Sequence, residues 1–192
     1  MNIIALAGPK HCGKSSVCRA WGASAVCCDL DDIIEKRTGK SPRALFTEGA
    51  EKFRAAEAEA LAAVLRDYGQ ASQLVIALGG GIIDNEAAVA LLKNQPHLKI
   101  IFLEISADEA WRRIESAARE GQGIPPFLDT PDPRKTHHAL HTRRAAAYRS
   151  IADIIVDCEN KNPQQIAGEA MNALSSSEFN HEPHEQHERK TK

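Results

Sequence analysis

The chain has 192 residues, the span of one ordinary domain, so a single core and a single site are expected. With 43% hydrophobic and 26% charged residues it reads as folded and globular, which excludes a wholly disordered chain. The formal net charge of -2, with no basic run before the tail, excludes the electrostatic footprint of a nucleic-acid binder and points to a small anionic substrate.

The opening MNIIALAGPK is too short an apolar stretch to cross a bilayer and has no basic region ahead of it. Neither anchor nor secretory signal is expected, and the chain is expected to act in the cytoplasm, without a membrane partner and as a monomer. Five cysteines, Cys12, Cys18, Cys27, Cys28 and Cys158, show no CxxC spacing and are expected as reduced thiols, with Cys27 and Cys28 packed as small apolar residues in a buried strand.

Residues 3–7 form a short apolar run that stops at Gly8, and a helical stretch begins near Lys14, giving strand, loop and helix. Residues 25–28 predict a second strand, ending at Asp29-Leu30-Asp31-Asp32 and followed by a helix that stops before Gly39. From 48 to 68, Phe53, Ala56, Ala60, Leu61, Val64 and Leu65 recur at three and four, the stripe of one long amphipathic helix. Residues 74–78 and 99–105 predict two more strands, the first broken by Gly79-Gly80-Gly81 and the second followed by a helix from Ala107. Residues 119–133 are so rich in proline and glycine that a long exposed lid without regular structure is expected. A helix over 134–150, a strand over 153–157 and a helix from Pro163 to about 174 complete the pattern. Five strands alternating with helices predict a three-layer α/β fold, a parallel sheet covered on both faces, over residues 1–174. The tail, 175–192, has almost no apolar residues and is expected to be disordered, with His181, His184 and His187 solvated rather than gathered on a metal.

Gly8-Pro9-Lys10-His11-Cys12-Gly13-Lys14-Ser15 matches GxxxxGK[ST] between a strand and a helix, the context that this phosphate loop requires. Backbone amides from His11 to Ser16 would wrap the phosphates of ATP, Lys14 would reach the terminal phosphates, and Ser15 would face magnesium. No GxGxxG follows a strand, so a dinucleotide fold is disfavoured.

Downstream, Asp29-Leu30-Asp31, the Arg37-Thr38-Gly39 turn, Phe53-Arg54 with Glu57, Gly79-Gly80-Gly81, Arg143-Arg144 with Tyr148-Arg149, and Asn162-Pro163 follow in order. Together they resemble the shikimate kinase family, P-loop kinases of the nucleoside-monophosphate-kinase type, from residue 3 to about 174. The resemblance implies ATP-dependent phosphorylation of the 3-hydroxyl of shikimate, a step of aromatic amino-acid biosynthesis. It implies that Asp29 helps Ser15 hold magnesium through water, and that Asp31 accepts a hydrogen bond from the substrate hydroxyl and takes its proton, making Lys14 and Asp31 the catalytic pair. Arg54 and Arg144 would clamp the substrate carboxylate, Gly79, Gly80 and Gly81 would lie against the ring, and Arg113, Lys161 and Pro163 would flank the nucleotide base.

Each residue has a plainer reading. Asp29 or Asp31 could only cap the next helix, Arg54 could only pair with Glu57, and Arg144 could be one more surface charge. The pattern also breaks at the lid, where Pro125 stands in place of the family's phosphate-reaching arginine and has no donor to offer. Arg119, Arg134 and Lys135 flank the lid as candidate substitutes. Two other functions stay open: a related small-molecule kinase, for instance one acting on gluconate, and a nucleotide-binding relative that has lost catalysis.

Overall fold

The computed structural model describes residues 2–22, 25–68 and 72–179. Five parallel strands, β1 (Asn2–Ala7), β2 (Val26–Asp29), β3 (Gln73–Ala77), β4 (Leu98–Glu104) and β5 (Ile154–Asp157), form one sheet in the order β2-β3-β1-β4-β5. The register pairs Ile4 with Val75 on one side of β1 and with Lys99 on the other. Parallel strands need crossovers, and among the described residues seven helices supply them, α1 (Lys14–Ala20), α2 (Leu30–Thr38), α3 (Pro42–Glu48), α4 (Ala50–Asp67), α5 (Glu86–Asn94), α6 (Ala107–Ala117) and α7 (Pro133–Ile151), while α8 (Pro163–Phe179) follows the last strand.

Strand side chains alternate between faces, so the central strands β1, β3 and β4 each feed two cores. Ile3 and Ala5 of β1, Leu74 and Ile76 of β3, and Ile100 and Phe102 of β4 pack with Leu30, Leu61, Val64, Leu92 and Tyr148 from α2, α4, α5 and α7. Ile4, Leu6, Val75, Ala77, Ile101 and Leu103 point the other way, towards Val17 of α1, Ala110 of α6, and Ile166 and Ala170 of α8. These two layers of apolar side chains on a sheet buried on both faces are the expected three-layer architecture.

The structure departs from the expected pattern in four places. The helix expected over 48–68 is α4, and a helix that the sequence did not lead us to expect, α3, precedes it; Gly49 (φ 156) lies between the two and interrupts the helical path. The lid is not without regular structure. A π-helical turn runs over Ala118–Gln122 and a 3₁₀ turn over Pro126–Leu128, where the fixed φ of proline suits the first position of a tight helical turn. Leu128 is fully buried with Trp111 and Ile114 of α6, so the base of the lid is anchored. α8 continues to Phe179, five residues past the expected end; within it the Ser175 and Ser176 hydroxyls satisfy themselves on the carbonyls of Met171 and Asn172, one turn back. The rest of the tail, including His181, His184 and His187, lies outside the described residues.

The fourth correction concerns the thiols. Cys18 of α1 and Cys27 of β2 form a disulfide, their Cα atoms 5.6 Å apart, while Cys12, Cys28 and Cys158 are free and buried. Cys27 is exposed on the edge strand, and only Cys28 faces the core. Nine residues of sequence separation say nothing about bonding, whereas packing α1 beside β2 brings the two Cα atoms within disulfide reach.

Candidate active site

The carboxyl ends of the strands open into a cleft of about 690 Å³, within the range of small-molecule sites. At its floor the loop after β1 bends over α1, with Gly13 (φ 100) at the helix start and His11 (φ 63) in the same left-handed region. Lys14 is 9% exposed and has no carboxylate partner among the described residues; its Nζ donates to the carbonyls of Gly8 (3.0 Å) and Pro9 (2.8 Å) and to Cys12 Sγ (3.7 Å). A buried ammonium held only by neutral groups is ready to exchange them for an anion. Ser15 and Ser16 line the cleft next to it. Cys12 lines it through the loop, but its side chain is fully buried in the core beneath. His11 is held neutral, its pKa lowered to about 4 by burial and by the charges of Lys10, Lys14 and Arg113.

Asp29 and Asp31 enter from the end of β2. The Asp29 carboxylate caps α2, accepting from the Asp31 amide at 3.0 Å, so its capping role is real, and its second oxygen is left for other partners. Asp31 faces the same cleft, its pKa raised by burial and then by the charge of Asp29. Burial makes this carboxylate a better proton acceptor than an exposed one. Behind it lies Glu57 of α4, 1% exposed, whose Oε2 accepts from Asn85 Nδ2 at 2.9 Å while Oε1 has no partner.

The basic wall comes from two helices. Arg54 of α4 lines the cleft and pairs with Glu51 one turn away, not with Glu57. Arg144 of α7 is 17% exposed, is held by Asp84 (2.7 Å), and lies over the Phe127 ring at 5.5 Å. Asp84 also takes both arms of Arg143, at 2.7 and 3.0 Å, and the two guanidinium groups hold its carboxyl below the usual range although burial pushes the other way. Arg144 is therefore a positioned cation and not a loose surface charge.

Gly79-Gly80-Gly81 is hemmed in on three sides. A Cβ on Gly79 would lie 2.5 Å from Glu57 Oε1, one on Gly80 2.8 Å from the amide nitrogen of Lys10, and one on Gly81 3.0 Å from Arg144 Nη2. Gly80 thus serves to seat this loop on the phosphate loop, a reason independent of any ring bound above it.

At the far end of the cleft, Arg113 of α6 donates to the His11 carbonyl (3.1 Å) and pairs with Glu109 (2.6 Å). Lys161 pairs with Glu169 (2.7 Å), and Pro163 opens α8 beside it. All three line the cleft. The lid contributes Pro125, Pro126 and Phe127 to its roof, and Arg43 of α3 ties the lid down by donating to the carbonyls of Gln122 and Ile124, both at 2.8 Å. Arg119, Arg134 and Lys135 are not on the cleft wall; Arg134 pairs with Asp108 at 3.1 Å.

Apart from those three candidate lid substitutes, every residue singled out from the sequence for the nucleotide, metal and substrate sites lies on this one cleft. Sequence reasoning missed Lys10, Arg43, Asp84 and Phe127. Asp84 carries no local signal, since its partners are about 60 residues away. Lys10 was visible as an unusual cation inside the loop motif.

Among the described residues, no group of three or more His, Cys, Asp and Glu side chains could hold a metal by itself. That donor set still fits magnesium, which is bound by one or two carboxylates together with substrate phosphates and water rather than by a protein cage. Ser15 and the uncommitted oxygen of Asp29 are the groups that would hold it.

Comparison with known proteins bears on the same residues. A family model described as shikimate kinase matches residues 10–175. The shikimate kinase of Mycobacterium bovis is 33% identical over 172 residues, covering 88% of this chain and 91% of that one. That of Corynebacterium efficiens is 31% identical over 175 residues, covering 90% and 96%. Of solved structures, shikimate kinase from Acinetobacter baumannii in complex with shikimate superposes with a TM-score of 0.78, covering 93% of this chain and 96% of that one; at 23% identity this speaks to the fold. Shikimate kinase from Aquifex aeolicus gives 0.69 at 26% identity, covering 92% and 98%. The phosphate loop from Lys10 onward, the paired aspartates and the two arginines all fall within the matched span, and this chain belongs to the shikimate kinase family.

Proposed function

We propose that the chain transfers the terminal phosphoryl group of ATP to the 3-hydroxyl of shikimate, releasing ADP and shikimate 3-phosphate, as a cytoplasmic monomer. The observation that carries this reading is the convergence of Asp31, Arg54 and Arg144 above the phosphate loop in one cleft. The planar fork of an arginine matches a carboxylate, and two such forks at one end of the cleft would fix a small ring with its hydroxyl towards Asp31. The hydroxyl oxygen attacks the γ-phosphorus, the bond to the β-phosphate oxygen breaks, and the hydroxyl proton passes to Asp31. Lys14 leaves its loop carbonyls for the phosphate oxygens, the loop amides hold the β-phosphate, and Arg113 with Pro163 brackets the base. Magnesium, held by Ser15 and Asp29, would neutralise charge on the β and γ oxygens. Phe127 and the prolines of the lid would keep water from competing as acceptor.

Coupled ADP release from purified protein tests this. Shikimate-dependent turnover is expected, and Asp31→Asn should cut it sharply while leaving ATP affinity within about twofold, because it removes a proton acceptor and no phosphate contact. Turnover only with another polyol or hydroxy acid, or ATP binding without turnover on any acceptor, would overturn the assignment.

A further inference from the structure

Seven cationic side chains line the cleft, and six of them already have partners. Lys14 is held by loop carbonyls, Arg43 by lid carbonyls, Arg54 by Glu51, Arg113 by Glu109 and the His11 carbonyl, Arg144 by Asp84, and Lys161 by Glu169. Lys10 is the exception: among the described residues its ammonium makes no hydrogen bond or ion pair.

Its place is well defined even so. The Lys10 backbone is pressed against Gly80, where a Cβ would come within 2.8 Å of its nitrogen and 3.1 Å of its Cα, so the residue is fixed between the phosphate loop and the triple-glycine loop. Its charge is within electrostatic reach of Asp31, Lys14 and Arg43, three groups from three different elements around the same space. Two ammonium groups and a guanidinium stand there against the single carboxylate of Asp31, a balance that favours a further anion between them. Meanwhile the lid offers no cation to that volume. Between residues 120 and 133 there is no Lys or Arg, and Pro125 and Pro126 have no backbone donor.

We propose that Lys10 is a further catalytic residue, whose ammonium contacts the transferred phosphoryl group opposite Lys14 and provides from the phosphate loop the charge that this lid does not. This rests on the kinase reading above. As the bond to the β-phosphate oxygen breaks, charge spreads over the equatorial oxygens of the moving group, and a donor aimed there stabilises the transition state more than the ground state. Lys10 then acts on the γ position and not on the α or β phosphates, which the amides of 11–16 and the start of α1 already serve.

Lys10→Met keeps the length of the side chain and removes the charge at an exposed position, so the fold is not at stake. Turnover should fall at least about tenfold at saturating ATP and shikimate, with the shikimate KM unchanged and Lys10→Arg recovering part of the rate. Calorimetry with ADP and with a non-hydrolysable ATP analogue should show the analogue weakened several-fold and ADP within about twofold. Turnover within twofold of the parent, equal loss of both nucleotides, or a raised shikimate KM at unchanged turnover would each overturn the proposal. The nucleotide comparison needs no acceptor, so a parent inactive on shikimate would sink the assigned reaction while the two affinities still decide the place of Lys10.

Discussion

Glu57 is the one fully buried carboxylate among the described residues, and its environment controls its proton. Burial pushes its pKa up from 4.5 to about 7, the Asn85 hydrogen bond opposes this, Asp31 adds to it, and Arg144 and Arg54 oppose it. The folded state therefore holds this proton at pH values where the unfolded chain has lost it. Stability should be greatest below about pH 4.5 as far as this group is concerned, fall by about 3 kcal/mol as pH rises towards 7, and stay level above that. Melting temperatures of the ligand-free protein between pH 5 and 7 check this against Glu57→Gln, which should flatten that part of the profile. A second prediction at this scale concerns Arg54, whose only ion pair among the described residues is with Glu51, itself 87% exposed in its side chain. A pair so exposed contributes little, so Glu51→Ala should leave shikimate affinity unchanged. Arg54→Lys should weaken shikimate about tenfold and ATP hardly at all, because a point charge cannot replace two parallel hydrogen bonds. Equal shikimate affinity of the Arg54→Lys variant and the parent by calorimetry would leave Arg54 with no role in the clamp.

At the scale of elements, two ties hold parts of the cleft to one another. The Cys18–Cys27 disulfide joins α1, which follows the phosphate loop, to β2, which delivers Asp29 and Asp31. Closing so short a loop restricts the unfolded chain, a contribution of about 2–3 kcal/mol. Reductant should accordingly lower the melting temperature by about 4–12 °C. Cys27→Ser should melt at the reduced value and no longer respond to reductant, and a parent indifferent to reductant would show that the bond contributes nothing. The second tie is Arg43, which joins α3 to the lid through two backbone carbonyls. Proline and glycine content alone suggested a long exposed loop without regular structure, yet Leu128 in its own small core and the Arg43 clamp hold the lid at both ends of its roof segment. Backbone carbonyls accept whatever their side chains are, so no motif in 119–133 announces that contact.

Across the whole molecule, the strand order β2-β3-β1-β4-β5 puts the loops after β1, β2 and β3 side by side, and ligands collect where they meet. A nucleotide bound there stabilises the entire domain by mass action. At a hundred times its Kd, ADP should add about 2.7 kcal/mol, a rise of roughly 5–11 °C in melting temperature. Lys14→Ala should lose turnover and most of the additional shift given by ATP. Without ligand it should melt at or above the parent, since it removes a buried charge that has no carboxylate partner. A ligand-free variant that melts well below the parent would mean that Lys14 holds the loop together and is not reserved for phosphate.

What the sequence determined by itself was everything governed by short range. The phosphate loop is contiguous, strand alternation has period two, α4 shows its apolar stripe, and proline and glycine mark the ends of elements, so fold class, strand order of appearance and the residues of the matched motifs were all legible. Tertiary structure alone decided which charges are committed and which are not. Arg54 turned to Glu51 rather than Glu57, Asp84 took hold of Arg143 and Arg144, Arg43 reached the lid, and Lys10 was left without a partner among the described residues of the cleft. Apart from the Arg54 pair, those choices join residues some 60 to 80 positions apart, and the Cys18–Cys27 bond likewise depends on a helix packing beside an edge strand. Pairing of this kind follows from distances in the folded chain, which no local spacing encodes.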